Sequence, residues 1–241
     1  MTSSDEEFRA VAYGRYGEDI ALDFKRYERA YRRIIDGRLN ILPTWRCLDI
    51  ACGSGNFLSY LRGQSVSSYL GVDSSEGAIG RAVREFGVEH ATVGDVFDVL
   101  GKARSEFELV SALDFVEHLN RSELRSLLGL VFGSLSPGGF FLLRTPNAGA
   151  PFGMSSRYND VTHELCFTPP ALADLLKRYG FEVVDLWEDV GRPKTLAQSV
   201  QWVAWQIVRA LYRILDGIET GSFDNGLMTR NFWLLVRRPA N

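Results

Sequence analysis

Apolar and polar positions along the chain switch between a helical period and short apolar runs. Residues 18–36 place charged and tyrosine side chains at helical spacing and end at Gly37, which predicts a helix. Trp45-Arg46-Cys47-Leu48-Asp49-Ile50 is a short apolar run entering the glycine turn Ala51-Cys52-Gly53-Ser54-Gly55, and residues 56–62 return to the helical period. A second strand is expected over 69–73, with Ser74 capping a helix that runs to about Phe86 and stops at Gly87. Thr92-Val93 reads as a short strand ending at Gly94-Asp95, and residues 107–112 as a fourth. Asn120, with Glu123 three residues on, forms a capping box that opens a helix to about Leu135. Pro137-Gly138-Gly139 predicts a turn, and residues 140–144 a fifth strand. Thr168-Pro169-Pro170 starts a helix that ends at Gly180, before a strand over 181–187. The tail holds a long helix over 195–215 and a closing strand over 231–237.

Strands that alternate with helices predict an α/β, doubly wound sheet, mostly parallel and covered on both faces. Such sheets bind ligands at the carboxyl ends of their strands. That end gathers residues 49–55, Asp73, Asp95, 112–114 and 145–147 into one candidate site.

Composition narrows the partners. The 241 residues carry 27 basic and 30 acidic side chains, so the chain lacks the basic field of a nucleic-acid enzyme. Arg29, Arg32, Arg33 and Arg38 read as a solvated helix face. Cys47, Cys52 and Cys166 show neither metal spacing nor a disulfide framework, which suits a reducing compartment. Residues 1–10 hold no apolar run, and no stretch of about 20 apolar residues occurs, so a cytoplasmic protein is expected.

The glycine turn alone is a weak signal, and its details matter more. A dinucleotide fold wants a third small residue where Leu58 stands, which argues against a nicotinamide cofactor. Asp49 precedes the turn, where a carboxylate can order a ligand's ammonium group. Asp73 ends the second strand, about 20 residues after the glycines, where an acid accepts from ribose hydroxyls. Asp95 can accept from an adenine amino group.

These segments, together with Gly71-Val72-Asp73-Ser74, Gly94-Asp95-Val96, Glu117-His118-Leu119 and Leu135-Ser136-Pro137-Gly138-Gly139, make the chain resemble class I methyltransferases over residues 40–190. The resemblance implies S-adenosylmethionine as cofactor and a last strand antiparallel to the rest. It implies cofactor contacts from Asp49, Ala51, Cys52, Gly53, Gly55, Asp73, Ser74, Gly94, Asp95, Val96, Ala112 and Leu113. Ala51 stands where the family usually has glycine, and slight crowding is expected there. The layout is then one domain: an N-terminal helical segment (1–40), a cofactor-binding core (41–191), a helical insertion (192–226) and a closing strand (227–241).

Thr145-Pro146-Asn147 and Arg157-Tyr158-Asn159-Asp160-Val161-Thr162-His163 narrow the resemblance to methyltransferases of bacterial glycan assembly, with Val161 in place of their proline. Methyl transfer is an in-line displacement, and a sugar hydroxyl reacts once a base takes its proton. Of the three histidines, His163 lies in the loop after the fifth strand and is the candidate base, with Asp160 to orient it. His118 reads as a structural member of the fourth-strand loop, and His90 precedes a strand. Arg144, Asn147, Arg157 and Tyr158 are candidate acceptor contacts. No His, Asp and Glu set has metal spacing, so no metal is expected.

An O-methyltransferase for a sugar or glycan is the leading reading. A methyltransferase for a phenol or quinone-like metabolite and a non-catalytic cofactor-binding subunit are the alternatives. The helix over 195–215 has a wide apolar arc with Trp202 and Trp205. Packing on the core, capping the site or a homodimer contact is expected first, and peripheral contact with the inner membrane face second.

Overall fold

The computed structural model describes residues 24–88, 90–191, 193–221 and 226–240. Seven strands form its sheet: β1 (Arg46–Ile50), β2 (Ser68–Asp73), β3 (Ala91–Val93), β4 (Phe107–Leu113), β5 (Leu135–Pro146), β6 (Glu182–Glu188) and β7 (Asn231–Arg237). Their order is β3-β2-β1-β4-β5-β7-β6. Strands β1 to β5 pair in parallel, and β7 pairs antiparallel with both β5 and β6. The last strand in the sequence is therefore the antiparallel one, as expected, and it fills the gap between β5 and β6.

Helices α1 (Phe24–Ile35), α2 (Asn56–Gly63) and α3 (Glu76–Phe86) lie on one face of the sheet. Helices α4 (Val96–Lys102), α5 (Arg121–Ser134) and α7 (Pro169–Arg178) cover the other. Single-residue alternation feeds both cores. Leu109, Leu142, Trp233 and Leu235 pack with the first group, while Val110, Phe141, Leu143, Phe232 and Leu234 pack with the second.

Leu58 is fully buried in α2. A Cβ on Gly71 would lie 2.3 Å from Leu58 Cδ1 and 2.8 Å from Cys52 Sγ. The leucine that argued against a nicotinamide cofactor is thus accommodated by a glycine in the facing strand.

Several local expectations shift. Ser75, not Ser74, caps α3, its side chain accepting from the Ala78 amide; Ser74 is exposed. The turn expected at 137–139 lies inside β5, which starts at Leu135. Gly138, at φ 81°, takes up a register shift between the Phe107–Leu135 and Leu109–Phe140 pairs, so the segment is a bulge. Helices α4 and α6 (Gly153–Tyr158) were not expected, and both are too short to show a hydrophobic period. The capping box of α5 is present as read, and β7 has the expected limits. The first residues of the helix expected over 18–36 lie outside the described residues.

Helix α8 (Leu196–Thr220) runs past the expected end and stops at Gly221, φ 72°. Its aliphatic stripe does not pack on the core, one of the three placements expected first. Arg209 faces inward and donates to Glu188 at 2.5 Å, both side chains about 15% exposed or less. Val203, Ile207, Leu211, Ile214, Leu215 and Ile218 face outward, each more than half exposed. Among the described residues, no helix is long and apolar enough to cross a membrane.

Candidate active site

The switch in strand order between β1 and β4 opens a crevice at the carboxyl end of the sheet. On its β1–β2 side the backbone builds the site. The Asp73 carboxylate accepts from the Gly53 amide at 2.8 Å through one oxygen and from the Ser75 amide at 2.8 Å through the other. Each oxygen keeps a further lone pair, as ribose hydroxyls require. Gly53, at φ 52°, has nothing within 4 Å of where a Cβ would stand, so its backbone is open to a ligand. Ala51 adopts φ 53°, so its departure from glycine is felt as left-handed backbone strain and not as crowding.

Asp49 is 2% exposed and accepts from Ser111 Oγ at 2.6 Å. Burial pushes its pKa up to about 7, against the opposing pull of the Ser111 bond. A carboxylate in that position favours a cationic ligand. Asp95 caps α4 through Oδ1, which accepts from the Phe97 amide at 2.7 Å. Gly94 donates to the Asp73 carbonyl. Val96, Ala112 and Cys52 are buried and Leu113 half-buried around this end of the sheet. Burial raises the Cys52 thiol, which keeps it protonated and inert.

On the β4–β5 side, side chains from distant segments converge. The chain leaves β4 through Asp114, at φ 55°, into a tight turn at Val116–His118. Glu117 is 1% exposed. Its carbonyl accepts from the Glu164 and Leu165 amides at 2.8 and 2.9 Å, and its carboxylate from Thr145 Oγ1 at 2.9 Å. Burial pushes its pKa up to about 8.

His118 Nδ1 lies 2.8 Å from Thr162 Oγ1, and that hydroxyl donates to Asp160 Oδ1 at 2.6 Å. Asp160 therefore orients His118 through Thr162. The expectation that it orients His163 is corrected, since His163 Nδ1 instead faces the Arg157 carbonyl at 3.2 Å. The two imidazoles meet edge to face, with ring centres 4.6 Å apart.

The hydrogen bonds assign the tautomers. The Thr162 proton goes to Asp160, so Thr162 Oγ1 accepts from His118 Nδ1–H. The Arg157 carbonyl can only accept, so His163 Nδ1 also carries hydrogen. In the neutral rings both Nε2 atoms are unprotonated.

Two expected acceptor contacts prove to be struts. The Arg144 guanidinium is held by Asp114 and, at 2.7 and 2.9 Å, by Asp189, whose other oxygen accepts from Trp233 Nε1. Asn147 is fully buried; its amide donates to the Leu227 and Thr229 carbonyls and accepts from the Gly149 amide. Arg157 lies over the Tyr158 ring at 5.1 Å, and Tyr158 is 69% exposed, so both stand at the mouth of the site. Sequence reasoning placed Glu117, Thr145 and Thr162 in its segments but gave them no role, since Glu117 meets Thr145 across 28 residues and Thr162 meets His118 across 44. Asp189 was missed for the same reason, 45 residues from Arg144.

A sheet of this order with an acid at the end of β2 and an open glycine turn defines the class of S-adenosylmethionine-dependent methyltransferases. The chain belongs to the methyltransferase domain family, which matches residues 23–186. It is 32% identical over 117 residues to an uncharacterized methyltransferase of Synechocystis, a match spanning 48% of this chain and 54% of that protein. Its fold is similar to that of an S-adenosylmethionine-dependent methyltransferase of Archaeoglobus fulgidus, with TM-score 0.66 and 20% identity, covering 97% and 99% of the two chains. A second, from Mesorhizobium loti, has TM-score 0.57 and 18% identity, covering 87% of this chain and 98% of its own. S-adenosylmethionine is the cofactor of this class. The residues present fit it, with an opening over Gly53, a doubly anchored Asp73 and a buried, cation-seeking Asp49.

Proposed function

We propose that the chain methylates a hydroxyl of a sugar or glycan, using S-adenosylmethionine. The observation that carries this reading is the meeting of two imidazoles, His118 and His163, with ring centres 4.6 Å apart and each Nδ1 held against an oxygen, beyond the end of β4. When bound, the cofactor supplies an electrophilic methyl on a sulfonium and leaves as S-adenosylhomocysteine. Asp73 takes the ribose hydroxyls, Asp49 the ammonium end, and the second oxygen of Asp95 the adenine amino group. Backbone at Ala51–Gly55 and Gly94 lies against the ligand, with Val96, Ala112 and Leu113 as walls. His163 accepts the proton of the acceptor hydroxyl, which lies between the imidazoles and the methyl group. Arg157 and Tyr158 contact the acceptor at the mouth.

A cavity of about 410 Å³, walled also by Ala30, Ile34, Val190 and Pro193, has room for a sugar ring against an aromatic face. Trp202, Trp205, Gln198, Gln201, Arg33 and Asp189 line it, combining ring faces with amide and charged groups. Asp189 ties this cavity to Arg144 and the end of β4. Purified protein incubated with methyl-labelled cofactor and fractionated lysate is expected to label glycolipid or nucleotide-sugar fractions. Label in aromatic metabolites alone overturns the acceptor class. His163→Ala is expected to lower kcat about a hundredfold or more, with cofactor affinity unchanged. Turnover within twofold of the parent removes His163 from the reaction.

The outward face of α8 indicates where the acceptor resides. At 100° per residue its apolar positions from Leu196 to Ile218 cover about half the circumference. A two-helix seam uses only two positions per heptad, whereas a helix lying in a lipid interface immerses a broad arc. We assign this face to the membrane surface and the acceptor to a lipid-linked glycan. The parent protein is expected to float with phospholipid vesicles, and Val203→Glu with Ile207→Glu to abolish flotation. A concentration-dependent dimer lost in the same variant, with no flotation, would assign the face to a second copy instead.

A further inference from the structure

The fold brings together a set of ligating groups that the sequence does not space as a metal motif. One ligating atom from each of Glu117, His118 and His163 lies within 4.8 Å of the others. Two of these residues are buried and the third is half-buried. Two imidazoles and one carboxylate are a donor set for a divalent transition metal.

Three independent features of the surroundings suit a metal. His118 and His163 both have Nδ1 hydrogen-bonded to oxygen, which leaves Nε2 as the coordinating atom, and metal-ligating histidines are held in this way. The His118 contact continues through Thr162 to the Asp160 carboxylate, a relay that raises the basicity of the ring. Glu117 is 1% exposed, and among the described residues its carboxylate has a neutral hydroxyl, Thr145, as its hydrogen-bond partner and no ion pair. The charged form of a carboxylate buried this deeply is costly, and coordination of a cation offsets that cost.

We propose that Glu117, His118 and His163 hold one divalent transition-metal ion, with Thr162–Asp160 and the Arg157 carbonyl as the outer shell that orients the two imidazoles. Nitrogen donors select zinc, cobalt, nickel or copper over calcium and magnesium, which prefer all-oxygen sites. The bearing of this site on methyl transfer rests on the function proposed above. An ion held there would polarise a sugar hydroxyl brought against it, whereas in the ion-free protein His163 takes the proton as proposed above.

The test is a Co2+ titration of tag-free protein, stripped with chelator, followed by visible absorption without cofactor or acceptor. One Co2+ per chain is expected, with ligand-field bands of mixed nitrogen and oxygen coordination. His163→Ala and Glu117→Gln are each expected to weaken binding more than about tenfold, and Thr162→Val, which removes only the relay, by about tenfold. His90→Ala is expected to bind like the parent. S-adenosylmethionine affinity reports whether each variant is folded, and His163→Ala, in a half-buried loop, serves if Glu117→Gln fails that check. No bands at millimolar Co2+, or equal affinity in the parent and His163→Ala, overturns the site. Since the titration needs no acceptor, that outcome leaves methyl transfer standing, while absent transfer in a Co2+-binding protein leaves the metal site standing.

Discussion

The two sides of the crevice are built by different means. On the β1–β2 side, backbone amides of Gly53 and Ser75 meet the Asp73 carboxylate, and Asp49 is held by the Ser111 hydroxyl of β4. On the β4–β5 side, side chains from the exit of β4, the loop after β5 and the end of β6 interlock. The first arrangement reads a ligand common to a whole class through shape, because a backbone cradle depends little on side-chain identity. The second depends on every side chain in the network, and such a region can change its acceptor by substitution while the first stays constant. Variants on the two sides should therefore separate cofactor binding from the integrity of the acceptor side.

The largest effect is expected at Asp49. Its pKa in the folded chain, about 7, lies above the ordinary value of 3.8, so the folded state holds the proton more tightly than the unfolded chain. The stability that Asp49 contributes without ligand is therefore fully present below about pH 4 and is lost as pH rises towards 7. The full linkage value is on the order of 4 kcal/mol, at 1.36 kcal/mol per pKa unit. Asp49→Asn removes the ionisation and keeps an oxygen for Ser111. The variant is expected to be more stable than the parent at pH 8, by urea unfolding without ligand, and to bind S-adenosylmethionine more weakly there. Parent affinity for the cofactor should rise with pH up to about 7, as the carboxylate ionises. A pH-independent difference between the two proteins would place the Asp49 charge outside cofactor binding.

A smaller effect is expected at Asp73. Each hydrogen bond to a charged group is worth about 1.5–3 kcal/mol, so Asp73→Ala should weaken S-adenosylmethionine binding about a hundredfold by calorimetry. The network around His118 and His163 lies outside that change, and the Co2+ titration of the variant should match the parent. A Kd within threefold of the parent would remove Asp73 as the ribose partner.

This contrast also explains what could be read in the sequence. Asp49, the glycine turn and Asp73 stand at strand ends whose positions follow from local apolar runs, so their placement together was visible without coordinates. The capping box of α5 was equally local, since Asn120 and Glu123 act on each other across three residues. Arg144 and Asn147 were placed correctly at the end of β5 but given the wrong task. Their partners, Asp114 with Asp189 and the carbonyls of Leu227 and Thr229, are set by how the chain returns to form β7. The cap shift from Ser74 to Ser75 is one residue wide, and adjacent serines give no sequence signal to choose between them. Helix α8 shows a different limit. Periodicity located its apolar arc, but which side meets the domain was decided by the pairing of Arg209 with Glu188, made across 21 residues.

The smallest effect is expected at Arg144, which also tests whether the two sides are separable. Its ion pair with Asp114 is partly open to solvent, at 44% exposure on the aspartate, and contributes little. The pair with Asp189 is more enclosed, with side chains 24% and 15% exposed, and Asp189 also accepts from Trp233 Nε1 at 2.7 Å. Arg144→Met leaves both carboxylates without their cation, and a loss of roughly 2 kcal/mol is expected, below the range for a fully buried pair. The urea midpoint should fall with the slope unchanged. Arg144→Lys restores the charge without the planar fork and is expected to recover only part of that loss. S-adenosylmethionine affinity should stay within twofold of the parent in both variants, because among the described residues the β1–β2 cradle makes no hydrogen bond to this network. Cofactor affinity that falls together with stability would show that the two sides form one cooperative site.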